Sequence, residues 1–324
     1  AYDAVDNRIA MTRAAGSALA QTTTYAYDKN NRLTATTDAL GHTTTVEYDA
    51  NGNAVAQVDA LGHRTAYVYD ANNRVERVID ALGHVTLYRY DGNANRVQVI
   101  DANGHASTSY YNADNELTLS VNAEGEATSF QYDANGNVVA ATRHAQRLTM
   151  PVNPAVKPTP TADARDQVSR MAYDKLNRLA QRTDGEGFVT RFGYDAVGNL
   201  TSTTQFLDLA QSRSEVTRTW YDAIDRAVAQ LSAEGYLTNL AYDAVGNLTG
   251  RTQRGERYAT PAAGAPVATA ADVGVTTRFT YDAMNRLVRE TDALGTHFDT
   301  VWSARSERIA SIRAAGTADE RRTA

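Results

Sequence analysis

The chain has 324 residues, 42% of them hydrophobic, a net charge of −6 and no cysteine. That apolar share supports a folded core, and the missing cysteines exclude disulfides, thiolate metal sites and cysteine nucleophiles. An acidic balance with scattered arginines argues against nucleic acid, whose phosphates need a concentrated basic face, and no apolar run reaches the roughly 18–20 residues of a membrane-spanning helix.

From the first residues onward the chain repeats itself. Tyr-Asp begins at Tyr2 and recurs at Tyr27, Tyr48, Tyr69, Tyr90 and Tyr132, with Tyr111-Asn112 between the last two, so the spacing from Tyr27 on is 21. It resumes at Tyr173, Tyr194, Tyr221, Tyr242 and Tyr281, and Trp302 follows 21 residues later, for 13 units. A fixed period of this length is the mark of a repeat architecture. Two residues before the Tyr stand Tyr25, Val46, Tyr67, Phe130 and their equivalents; four before it stand Thr23, Thr44, Thr65 and Thr128. Aromatic and β-branched residues at a spacing of two predict a strand with one buried face, on which Phe130 and Tyr132 would point inward together. Six and ten residues after the Tyr come Leu33, Val75 and Leu117, then Val58, Ile79 and Val121, which predict a second strand. Each unit therefore reads as a short antiparallel hairpin.

The turns carry their own signals. Four residues after the Tyr, eleven units place Asp, Asn or Gly, the types that best tolerate positive φ. Ala94 and Ser306 depart, and Asn95 suggests a one-residue shift at Ala94. Fourteen after the Tyr, ten units have Gly, from Gly16 and Gly41 to Gly295 and Gly316. The exceptions, Gln146, Asp208 and Glu256, begin the three longest spacings, 41, 27 and 39. Loop insertions near 143–168, 205–216 and 253–275 thus replace the Gly turn, all on one edge of the sheet. All six prolines fall in the first and last of them, which read as exposed loops able to carry recognition. A weaker similarity at an offset of 300 links residues 8–10 and 13–16 to 308–310 and 313–316.

The expected fold class is all-β: residues 1–324 as a single array of about 26 strands in one long antiparallel sheet. Open twisted sheets rarely exceed about ten strands without curling, so the ribbon is expected to spiral into a shell or barrel. The chain opens in mid-pattern and reads as a cut from a longer polypeptide, whose own start would carry any export signal.

Tyr132-Asp-Ala-Asn-Gly-Asn-Val, Tyr194-Asp-Ala-Val-Gly-Asn-Leu, Tyr242-Asp-Ala-Val-Gly-Asn-Leu and Tyr281-Asp-Ala-Met-Asn-Arg-Leu resemble the YD repeat of the RHS (rearrangement hot spot) family. The Asp-Ala-Leu-Gly turns at 38–41, 59–62, 80–83 and 292–295 do so too. The resemblance implies a spiralling β cocoon that encloses a C-terminal toxin in bacterial polymorphic toxins and Tc-type insecticidal complexes; in teneurins a similar shell serves adhesion. The family's bacterial toxins close the shell with a core segment bearing Asp-Pro and Gly-Leu beside a self-cleavage site. This sequence contains neither pair, so only the container wall is matched.

Candidate chemistry is sparse. His42, His63, His84 and His105 form a column, but equivalent residues two strands apart lie about 9.6 Å from each other, too far to share a metal. The repeated carboxylates Asp28, Asp49, Asp70 and Asp91, and Asp38, Asp59, Asp80 and Asp101, read as turn caps rather than catalytic pairs. Calcium at these turns is the weaker alternative. The Tyr column can line a core or present stacking platforms to sugars or bases. No cofactor, metal or catalytic residue is assigned, and the chain is not expected to be an enzyme. The first functional reading is a secreted or bacterial cell-surface shell segment, partnered by adjacent repeats of the same polypeptide and enclosing a fused toxin in cis. The second is an extracellular adhesin whose outer face or insert loops bind carbohydrate or another cell surface.

Overall fold

A computed structural model describes residues 1–13, 21–261, 264–303, 308–315, 317 and 320–323. Among them there are 26 strands, β1 (Ala10–Arg13) to β26 (Arg321–Thr323), and no helix. The total matches the expected number with an offset. Tyr2 contributes only a bridge to Arg8, while β26 starts a further hairpin after Trp302. Gly16, Gly316, Ser306 and the part of the offset-300 similarity that involves residues 14–16 and 316 lie outside the described residues.

The chain divides into two compact units, Ala1–Val168 and Ser169–Ala324. Within each, strands consecutive in sequence pair antiparallel, as in β3 (Leu33–Thr37) with β4 (Thr43–Tyr48) and β22 (Val275–Tyr281) with β23 (Leu287–Thr291). Among the described residues β1 pairs only with β2 (Gln21–Tyr27), and β26 only with β25 (Arg308–Arg313).

Both turns of a hairpin are built alike. At residues 38–42 the Gly41 amide donates to the Asp38 carbonyl and the Asp38 amide to the His42 carbonyl, while Gly41 has a φ of 87°. This is a three-residue loop, a type I turn followed by a left-handed residue. The turn at 28–32 repeats it, with Asn31 left-handed at 61°. Ala94 is left-handed as well, at 69°, and its turn keeps the common register, so the expected shift at Asn95 does not occur. The Asp91 carboxylate, accepting from the Asn93 and Asn95 amides, holds the loop in the shared form despite the Cβ.

One extra residue sits in every Tyr-Asp hairpin. In β12 (Ala127–Tyr132) with β13 (Val138–Arg143), Gln131 faces Ala140 but Tyr132 faces Val138. The bulge changes the side-chain alternation. The residue six after the Tyr shares the tyrosine face, whereas those eight and ten after it lie on the opposite face. The periodic reading, which placed them together, is corrected here.

The burial is also reversed from expectation. Phe130 and Tyr132 are only half-buried. Leu119, Val121, Ala127, Ala229, Leu231 and Leu237, all on the face away from the tyrosines, are nearly or fully enclosed. The cover comes from the insertions, which the structure places at 144–166, 207–213 and 258–274 between strands. The first folds back so that Leu148, Met150 and Val152 pack on Tyr110, Leu119, Val121 and Ala127. In the second unit, Tyr258 and Ala265 cover Ala229, Leu231 and Leu237. A single layer cannot bury its own face; the proline-rich segments supply a second one, and so are not simply exposed loops.

Because an alanine in the left-handed region carries roughly 1 kcal/mol of strain that glycine lacks, Ala94→Gly is expected to stabilise the chain by about that amount. Urea denaturation at constant m-value measures it.

Candidate functional site

Three places gather polar side chains: the Tyr-Asp edge, the Gly-turn edge and the necks of the long insertions.

At the Tyr-Asp edge, each hairpin grips the next. The Tyr48 hydroxyl donates to the Leu33 carbonyl at 2.9 Å. Leu33 lies beyond Ala35, the last residue of β3 paired to β4, so this carbonyl lacks a ladder partner on that side. Tyr69 to Ala54, Tyr90 to Val75, Tyr132 to Leu117, Tyr194 to Leu179 and Tyr242 to Ala227 repeat the bond at 2.8–3.0 Å. Trp302, the one unit without Tyr in this position, uses its indole N–H on the Leu287 carbonyl at 2.7 Å.

The residue five after the Tyr adds a second grip, and it alternates between two types. Arg32 binds the Asp28 carboxylate of its own turn through Nε and Nη2, both at 2.7 Å. It donates forward to the Asp49 carbonyl at 2.9 Å, and its guanidinium lies 4.7 Å from the Tyr48 ring centre. Arg74, Arg178 and Arg226 do the same to the hairpins after them. In the intervening units the residue is Asn. Asn53 binds Asp49 and then Asn73 Oδ1 of the following turn at 2.8 Å; Asn95, Asn199 and Asn247 reach forward to Asn115, Asp225 and Asn285. The turns thus come in two complementary kinds, and the full period is two hairpins. This column escaped the sequence reading, yet its signal is present: Asn-Arg and Gly-Asn alternate at 31–32, 52–53 and 73–74, and again at 177–178, 198–199, 225–226 (as Asp-Arg) and 246–247.

At the Gly-turn edge the histidine and aspartate columns meet within single turns. His42, His63, His84 and His105 each place Nδ1 2.8–3.1 Å from Asp38, Asp59, Asp80 and Asp101. Each carboxylate also accepts two amides of its own turn, as Asp38 does from Leu40 and His42. Among the described residues no group of three or more His, Cys, Asp or Glu is gathered to hold a metal.

The insertion necks are built on one plan. The Leu148 amide donates to the Gly125 carbonyl and the Tyr258 amide to the Gly235 carbonyl, both at 2.8 Å. A carboxylate just before the returning strand then closes each loop. Asp166 accepts from the Ala145 amide at 2.8 Å; Asp272 accepts from the Gly255 and Glu256 amides and the Tyr258 hydroxyl. At the first neck, Asp166 Oδ2 also lies 3.3 Å from His144 Nδ1, and His144 Nε2 lies 2.9 Å from Ser129 Oγ. This cluster is peculiar to one unit, and the 37 residues of separation between Ser129 and Asp166 hide it in the sequence. Its order is that of a nucleophilic triad, but Ser129 sits in mid-ladder between Leu119 and Thr142. The neighbouring amides of His144 and Ala145 are spent on Ala127 and Asp166. The three side chains join β12, the start of the insertion and its return in one run of hydrogen bonds.

These hydrogen bonds hold the aspartates below the ordinary carboxylate range. The Arg32 amide and then its guanidinium lower Asp28; the His42 amide lowers Asp38; the Ala145 and Glu256 amides lower Asp166 and Asp272.

A β-hairpin repeat protein is the class that this ladder and its clasped turns define. The RHS Repeat family matches residues 2–44, 48–83, 69–106, 111–147, 163–207 and 262–297, more than half of the chain. The chain belongs to the RHS repeat family. Its fold is similar to that of TcdB2-TccC3 without the hypervariable C-terminal region, with a TM-score of 0.71 over 94% of this chain at 14% identity. It is also similar to TcdB2-TccC3, with a TM-score of 0.65 over 97% of this chain at 14% identity. It spans 16% and 19% of those chains. No curated protein shows significant similarity in sequence. No helix among the described residues is long and apolar enough to cross a membrane.

Two outcomes are expected from the clasps. Tyr48→Phe leaves the Leu33 carbonyl without its donor and should cost about 1 kcal/mol in urea denaturation. Acid should unfold the chain through its lowered aspartates. Their contribution is complete above the unfolded value of about 3.9 and is lost as pH falls through the lower folded values. The melting temperature should hold above about pH 5 and drop steeply below about pH 4.

Proposed function

We propose that the chain is a structural, non-catalytic section of the wall of a β-shell, and that the shell encloses a polypeptide fused to the same longer chain, a toxin in an exported bacterial protein. The observation that carries this reading is the clasped ladder. Within each unit, successive hairpins grip one another by a Tyr hydroxyl, an Arg or an Asn, which gives the array the continuity a barrier needs. The RHS family membership and the fold likeness to TcdB2-TccC3 support it. The mechanism is confinement. A continuous sheet, doubled by its insertions, separates the enclosed segment from solvent and proteases until the wall opens.

The test is protection of the enclosed segment in the longer polypeptide that carries this array. A non-specific protease at neutral pH should spare that segment in the intact protein. It should cleave it rapidly once the wall is opened by Leu119→Asp with Leu237→Asp, which bury unpaired charges. Equal cleavage of the intact and opened forms would show that the array confines nothing.

A further inference from the structure

Single exposed apolar side chains are ordinary on a protein surface, whereas exposed apolar side chains gathered together mark an interaction site. This chain exposes two ordered rows. In the first unit, the Gly-turn edge carries Leu40, Leu61 and Leu82, each 80–81% exposed, at the third position of successive turns. In the second unit, the Tyr-Asp edge carries Leu176, Val197, Ile224, Val245 and Met284, each 61–74% exposed, again at the third position. The other two edges carry no continuous apolar row. The Tyr-Asp edge of the first unit places Asn30, Asn51, Asn72, Asn93, Asp114 and Asn135 in that column, after Val5. The Gly-turn column of the second unit reads Glu186, Leu207, Glu234, Gly255 and Leu294, with no continuous row.

We propose that these rows are the two halves of one docking surface, and that the partner of the leucine row is the Tyr-Asp edge of another tier of RHS hairpins bearing a row like the second. The spacing selects that partner. Both rows advance by one hairpin, about 9.6 Å, and the insertions of the second unit leave its row regular because they leave by the other edge. A helix or an irregular chain would meet one side chain and miss the next; a second hairpin array meets each in turn. The Asp38–His42, Asp59–His63 and Asp80–His84 pairs beside the leucines form the polar rim of such a contact. The inference rests on the wall reading, to which it adds how tiers of wall adhere.

A second copy of this chain carries both halves, so it is the probe. The contact joins unlike surfaces of two copies, so the chain should self-associate with rising concentration in sedimentation velocity. Leu40→Asn/Leu61→Asn/Leu82→Asn and Val197→Asn/Ile224→Asn/Val245→Asn should each weaken this association by about tenfold or more. Asn already occupies both columns elsewhere, at Asn103 and Asn51, so melting temperatures should not change. An equimolar mixture of the two variants, each retaining one intact row, should yield a one-to-one pair that grows no further. A parent chain that stays monomeric, variants that associate undiminished, or a mixture that fails to pair would each overturn the proposal. Such a failure leaves the protease experiment untouched, so the two readings can fall separately.

Discussion

One recurring hydrogen bond governs this molecule: the donation from a Tyr hydroxyl, or at Trp302 from the indole N–H, to the carbonyl that opens the second strand of the preceding hairpin. The carbonyl lies beside the bulge that shifts the ladder by one residue, and the tyrosines that reach it stay half-buried. The enclosed side chains, Leu119, Val121 and Leu237, therefore gather on the other face, where the insertions can cover them.

This explains why the hairpins and their turns were legible in the sequence and the facing was not. Period 21 and the alternation of Thr, aromatic and Tyr before each Asp reveal the strands directly. The left-handed residues were visible wherever Asn or Gly filled the column. Ala94 shows the limit, since its conformation comes from the Asp91 carboxylate and not from its own preference. The bulge leaves no composition signal, so a strict period of two carried Leu33 and Val58 onto one face when the structure puts them on two. The triad-like neck was illegible for another reason: Ser129, His144 and Asp166 meet only because a 23-residue insertion returns to its starting point.

The alternating Arg and Asn clasps bear on how such an array evolves and assembles. An Arg turn donates to the backbone of its successor and needs only a carbonyl there. An Asn turn donates to the side chain at the left-handed position of its successor, which must then be Asn or Asp rather than Gly. Hence Gly52 and Asn73, or Gly198 and Asp225, differ although both have positive φ. Duplication by single hairpins would break this pairing; duplication by pairs preserves it. Where Glu116 stands in place of Arg, its partner Asn112 replaces the Asp, so the local bond survives with its polarity exchanged.

The same asymmetry decides where the chain tolerates insertion. The Tyr-Asp turns cannot vary in length, because Arg32 must span from Asp28 to the Asp49 carbonyl and Asn53 from Asp49 to Asn73. The Gly turns that carry no insertion, such as those at 38–42 and 80–84, are held by bonds within the turn, Asp38 to His42 and Asp80 to His84. An added segment there disturbs no neighbour, provided a carboxylate such as Asp166 or Asp272 gathers its two ends. All three insertions lie on the permissive edge, and the two long ones turn that freedom into the second layer that encloses the sheet's closest-packed residues.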